Sequence, residues 1–169
     1  MIRRFNTYHG GANRFAVGQG YTLVEVVVVV LILGILGSVA APKIINTTQV
    51  ASQNTFMSQL TSYADAFDLY KIKYGAYPSD SFAGILPSGM EEFLNADEFA
   101  LETPLGGHWD YRFGANIVIG VQYKNGTGYP GATTLLEIDQ KMDDGNLTTG
   151  SLTLTETTHK WYFWNFGDN

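Results

Sequence analysis

The chain has 169 residues, a formal net charge of −6, only 15% charged residues and no cysteine. That length allows one globular domain beyond a targeting segment. Without a thiol there is no thiolate metal site, no cysteine nucleophile and no disulfide staple, and the acidic balance argues against nonspecific nucleic-acid binding, which needs a basic surface.

Residues 1–20 hold Arg3, Arg4 and Arg14 and no acid, so they read as a targeting leader whose removal would leave a net charge of −9. Gly20 closes it. Tyr21-Thr22-Leu23-Val24-Glu25 then runs into an uncharged stretch from Val26 to Ala41 in which every residue is aliphatic, Gly or Ser. As a helix, Tyr21 to Ala41 spans about 30 Å, the thickness of a bilayer's hydrocarbon core. The leader arginines put the N terminus in the cytoplasm and residues 43–169 outside. Glu25 lies at the start of the apolar run, where a carboxylate costs a few kcal/mol or more in lipid, which makes it a functional candidate. A competing reading uses Ser38-Val39-Ala40 before Ala41 as a secretory cleavage site, releasing a soluble enzyme or binding module.

The string Gly20-Tyr21-Thr22-Leu23-Val24-Glu25 before an apolar run resembles the class III signal of type IV pilins and type II secretion pseudopilins. The resemblance implies that prepilin peptidase cuts between Gly20 and Tyr21 and methylates the new N terminus. Glu25 then stands where the family has its glutamate, and Pro42 where many pilins have a helix-kinking proline. Tyr21 departs from the usual Phe or Met but remains aromatic. The implied product is a homo-oligomeric filament on an inner-membrane assembly platform with minor pilins. Its assembly residues are Tyr21, Glu25, Gly34, Gly37 and Pro42, and no nucleic acid is contacted. Its domains are a leader (1–20), a membrane and filament-core helix (21–42) and an exported pilin-like domain (43–169). Secretion pseudopilin and type IV pilin, the latter for adhesion, motility or DNA uptake, both remain open.

Beyond Pro42, the residues Asn46, Thr47 and Thr48 form a poor helix, so local melting is expected there. Phe56, Leu60, Tyr63, Phe67, Tyr70 and Tyr74 then recur at steps of three and four, an apolar stripe for a helix ending at Gly75. Tyr77-Pro78 makes a turn, in an order similar to the Gly-x-Tyr-Pro segment of major pseudopilins. Ser88-Gly89-Met90-Glu91 predicts a capping box opening a short helix through Phe93 and Leu94. Thr103-Pro104-Leu105-Gly106-Gly107-His108 resembles, in frame only, the pseudopilin segment that leads into the first strand. Strands are predicted at 109–113, 117–123, 133–138, 151–155 and 160–166, with a turn at 124–128. The expected fold is α+β: a long N-terminal helix, membrane half plus amphipathic half, packed on a C-terminal antiparallel β-sheet.

Between Glu137 and Asn146, Asp139, Asp143 and Asp144 supply hard oxygen ligands of the kind calcium takes, without the EF-hand spacing. Asp143 and Asp144 turning the chain through Gly145 is the alternative. His108 and His159 lie in turn-like contexts, and no nucleophile elbow, zinc-protease or phosphate-loop motif accompanies them, so no enzyme is predicted.

Overall fold

The computed structural model describes residues 20–156 and 159–168, apart from the side chains of Val39, residues 41–46, Glu156 and Asp168. The leader before Gly20 lies outside the described residues. Two compact units divide the chain, Met1–Lys43 and Ile44–Asn169.

Helix α1 (Leu23–Tyr74) is followed by a loop and the short α2 (Ala96–Ala100). Strands β1 (His108–Phe113) and β2 (Asn116–Tyr123), helix α3 (Ala132–Met142), and strands β3 (Leu152–Glu156) and β4 (Lys160–Asp168) complete it. The four strands form one antiparallel sheet in the order β1-β2-β4-β3. The architecture is the expected α+β fold.

The aromatic stripe is the spine of the second unit. Phe56, Leu60, Tyr63 and Phe67 are buried against Trp109, Tyr111, Ile117, Ile119, Val121 and Tyr162 from the sheet. The rings interlock. Phe67 stacks on Tyr111 at 4.1 Å and 3°, Phe56 on Trp109 at 5.3 Å and 5°, and Tyr63 meets Trp109 edge-on at 4.8 Å. Each such pair adds about 0.5–1.5 kcal/mol beyond the area it buries. The stripe fades at its end: Tyr70 is half-buried and Tyr74 is exposed, packing on each other and on Phe93. Gly75 takes φ +82°, the left-handed conformation that ends a helix and favours glycine.

The Tyr77-Pro78 turn is fastened to both layers. The Tyr77 hydroxyl donates to Asp68 Oδ1 at 2.6 Å on α1, and the Tyr111 hydroxyl of β1 donates to the Pro78 carbonyl at 3.1 Å. Burial, then that bond to Asp68, push the Tyr77 phenol up to about 12.

Three expectations are corrected. The backbone past Pro42 is helical throughout, because losing one N–H donor does not unwind the turns on either side. The short helix at 90–94 is a series of turns; Gly89 sits at φ +90° and Glu91 Oε2 accepts the Gly89 N–H at 2.9 Å. The helix comes later, as α2, with Asn95 Oδ1 accepting from Asp97 N at 2.8 Å and Glu98 N at 3.3 Å. Finally, residues 133–138 are not a strand. They lie in α3, where Leu135 and Ile138 are buried and Met142 is half-buried on one helical face. The Thr134 hydroxyl donates back to the Pro130 carbonyl at 3.3 Å, a local bond that lets a β-branched residue sit in the first turn.

Asp110 and Asp139 are carboxyl groups inside the fold. Asp110 of β1 is fully buried, with Arg112 Nη2 at 3.1 Å from its Oδ2 and no partner for Oδ1. Burial pushes its carboxyl up to about 6, against the pull of Arg112. An acid whose folded value is raised binds its proton more tightly when folded. Stability is therefore expected to fall by about 3 kcal/mol as pH rises from near 4 to above 6. Thermal midpoints across that range, compared with Asp110→Asn, check this: the variant should lose that portion of the slope.

Candidate functional site

The first candidate site is the start of α1. Thr22 is its N-cap and Glu25 its third residue, and the two form a reciprocal capping box. Glu25 N–H donates to Thr22 Oγ1 at 3.2 Å, while Glu25 Oε2 accepts from Thr22 N and Thr22 Oγ1, each at 2.8 Å. The Thr-x-x-Glu spacing announces this in the sequence. Gly20 and Tyr21 precede the helix, Tyr21 fully outside any packing. From Leu23 to Leu36 the large apolar side chains are all exposed, so the helix is apolar around its whole circumference. Such a helix calls for lipid or other helices around it. Gly34 and Gly37 have open space where a Cβ would stand, leaving a low spot for a close neighbour. Pro42 is helical in its backbone, its side chain outside the described set. Among the described residues no helix is long and apolar enough to cross a membrane. The uncharged run of the sequence, however, goes on through Val39 and Ala41, whose side chains are not among those described.

The second is the C-terminal end of α3. Asp139, Asp143 and Asp144 each bring a carboxylate oxygen within 4.8 Å of the others. The loop gathers them. Asp139 Oδ1 and Asp144 Oδ1 accept the same Asn146 N–H, at 2.9 and 2.8 Å. Asp143 Oδ2 accepts from Ser151 N at 2.6 Å and Leu152 N at 2.8 Å, where β3 begins, and Asp144 Oδ2 accepts the Thr149 hydroxyl at 2.6 Å. Asp143 and Asp144 thus also serve the turn through Gly145. Gly150 is obligatory here, because a Cβ on it would run into the Asp143 carboxylate. Asp139 is different: it is fully buried, and its Oδ2 has no hydrogen-bond partner. Burial raises its carboxyl above the ordinary value, backbone N–H groups of Gly145 and Asn146 oppose this, and Asp143 and Asp144 add to it. A buried carboxylate oxygen without a donor beside two further carboxylates suits a hard divalent cation.

Sequence reasoning missed what holds α3 in place. Gln53 of α1 is buried; its Nε2 donates to Glu137 Oε2 at 2.6 Å, and Lys141 Nζ donates to its Oε1 at 3.1 Å. Gln49 Nε2 donates to Thr134 Oγ1 at 3.2 Å. The readable signal was the helical spacing of Leu135, Ile138 and Met142, obscured by two adjacent threonines.

Residues 18–41 match the family described as the prokaryotic N-terminal methylation motif. Over these residues the chain carries the N-terminal methylation motif. Among its relatives, the type II secretion system core protein G of Aeromonas hydrophila is 38% identical over 84 residues, 50% of this chain and 54% of that one. That of Klebsiella pneumoniae is 29% identical over 93 residues, 53% and 62% of the two chains, and that of Vibrio cholerae 38% over 60 residues, 36% and 41%. The pilin-like chain thus spans about half the length of these relatives. No solved structure matches it significantly.

Proposed function

We propose that this chain is a prepilin-type subunit of a bacterial extracytoplasmic filament and assembles as a component of a type II secretion pseudopilus. The match of residues 18–41 to the N-terminal methylation motif carries the reading. Its likeness to type II secretion system core proteins favours protein secretion over adhesion, motility or DNA uptake. Prepilin peptidase removes residues 1–20 and methylates the Tyr21 amine. Residues 21–42 hold the subunit in the inner membrane as a single pass, N terminus in the cytoplasm, and residues 43–169 lie outside. An assembly platform and minor pilins then receive it. In the filament the apolar helices pack together, Gly34 and Gly37 allow close approach, and Pro42 removes a hydrogen bond so that the helix extends under load. Glu25 pairs with the Tyr21 ammonium of a neighbour, because an unpaired carboxylate is unfavourable in a dry core.

Intact mass and N-terminal sequencing of protein recovered from membranes test the processing step. The expected result is a chain starting at Tyr21 with one added methyl group. A soluble chain starting at Ala41 would overturn the reading.

For the acidic cluster the proposed ligand is calcium, held by Asp139, Asp143 and Asp144. When bound it supplies positive charge that offsets the carboxylate repulsion and joins the end of α3 to the start of β3. A ligand at about a hundred times its dissociation constant stabilises by about 2.7 kcal/mol. Calcium is therefore expected to raise the thermal midpoint of the full chain in detergent by several degrees, and Asp139→Asn to abolish the rise. An equal rise in both proteins would remove the site.

A further inference from the structure

A second cluster of charged and titratable groups lies away from both sites. One cleft of about 460 Å3 is lined by Arg112, Lys124, His108, His159, Asp80 and Phe82. Four elements build it: β1 brings His108 and Arg112, the turn after β2 brings Lys124, the segment before β4 brings His159, and the loop past Pro78 brings Asp80 and Phe82.

Its charge runs against the rest of the domain. Without the leader the chain keeps only seven Lys and Arg against 16 acids. Lys73 is spent on Glu92 at 2.6 Å, and Lys141 on Gln53 at 3.1 Å. Arg112, itself paired with Asp110, and Lys124 meet in this cleft, together with both histidines that lie beyond the leader and with Asp80 as the one acid among the described lining residues.

The donors are also held in place. Arg112 turns Nε, at 3.2 Å, and Nη2, at 3.1 Å, onto buried Asp110 Oδ2, while its guanidinium lies over the Trp161 ring at 4.6 Å. A guanidinium has five N–H groups in a fixed fork, so the remainder stay available to a second oxyanion. His159 Nδ1 accepts the Asn125 N–H at 3.2 Å, which fixes the orientation of its ring. Asn125 is the one non-glycine with positive φ among the described residues, at 53°. Asparagine takes this left-handed conformation readily in turns, so it marks the turn after β2.

We infer that this cleft is a binding site for a carboxylate, taken between the Arg112 guanidinium and the Lys124 ammonium, with the His108 and His159 rings in its lining. The carboxylate belongs to a small organic acid or to an acidic side chain of a second copy of this chain. The exposed Phe82 ring gives the ligand's carbon skeleton an apolar wall.

Titration of the full chain in zwitterionic detergent with citrate, followed by the histidine ring proton signals, tests this. Saturable shifts of the His108 and His159 signals are expected, absent with sodium chloride at matched ionic strength. Lys124→Ala should weaken binding at least fivefold while leaving the thermal midpoint unchanged. Lys124 is exposed, so this variant keeps the fold, whereas Arg112→Gln would strand Asp110. Shifts that track ionic strength alone, or a Lys124→Ala protein that titrates like its parent, would overturn the site. Signals that move with protein concentration alone and revert with citrate assign the carboxylate to a second copy. Movement only with citrate assigns it to a small acid.

Discussion

A chain carrying Glu25→Leu is expected to enter the membrane at normal levels and to form no filaments. Insertion depends on the apolar run that follows, and leucine extends that run. In the isolated subunit the glutamate is satisfied by Thr22, through two bonds of 2.8 Å to one carboxylate oxygen. Loss of that cap lowers helix stability by about 1 kcal/mol, too little to unseat a membrane helix. Assembly makes a different demand. In the proposed filament each helix would replace lipid with neighbouring helices, and the methylated Tyr21 ammonium of a neighbour would be an unpaired buried charge unless a carboxylate met it. Sheared-filament yield against membrane-fraction content reads the effect, and a loss of at least a hundredfold is expected. Glu25→Gln separates the roles, since the amide keeps the hydrogen-bonding geometry and loses the charge. Filaments from the glutamine protein would make the cap the essential feature, and normal filaments from the leucine protein would remove the pairing altogether.

Phe67→Ala is expected to destabilise the second unit by about 3–5 kcal/mol, the range for truncating a buried aromatic. Phe67 is fully buried, stacked face to face on Tyr111, with Phe166 at 6.3 Å on its other side. The cavity would open between α1 and β1, where both backbones are pinned by their own hydrogen bonds and cannot collapse inward. Domains of this size have about 5–15 kcal/mol in total, so a fall in thermal midpoint of roughly 10 °C or more follows. Near-ultraviolet circular dichroism of the full chain in detergent measures it. Leu69→Ala, on the exposed side of the same helix, should stay within about 0.5 kcal/mol of the parent. Equal losses in the two proteins would mean that helix propensity, and not ring packing, sets the stability.

The long helix, its buried stripe and its stop at Gly75 were all readable from the sequence. A repeat of three and four steps in aromatic residues has one helical meaning, and glycine after the last repeat marks its end. β1, β2, β3 and β4 were equally readable, since their β-branched and aromatic residues are bounded by turn chemistry. The errors fell in short segments. At residues 133–138 the threonines suggested a strand, and at 88–94 a capping-box pattern suggested a helix that Gly89 prevents. Segments of that length carry too little periodicity to outweigh their neighbours, so contact with α1 and the sheet decides them.

The proposed function of this chain is written locally, in Gly20 to Glu25 and the apolar run after it, because a peptidase, a bilayer and a helical neighbour would each read a contiguous segment. The acidic residues of the α3 loop were visible as candidates, but not the burial of Asp139 or its unpartnered oxygen. Nor did anything in the sequence join Asp80, His108, Arg112, Lys124 and His159, which lie on four separate elements. Charges far apart in the chain become neighbours only through strand order and loop docking. Those are set by which apolar faces bury together, and so by the whole core at once.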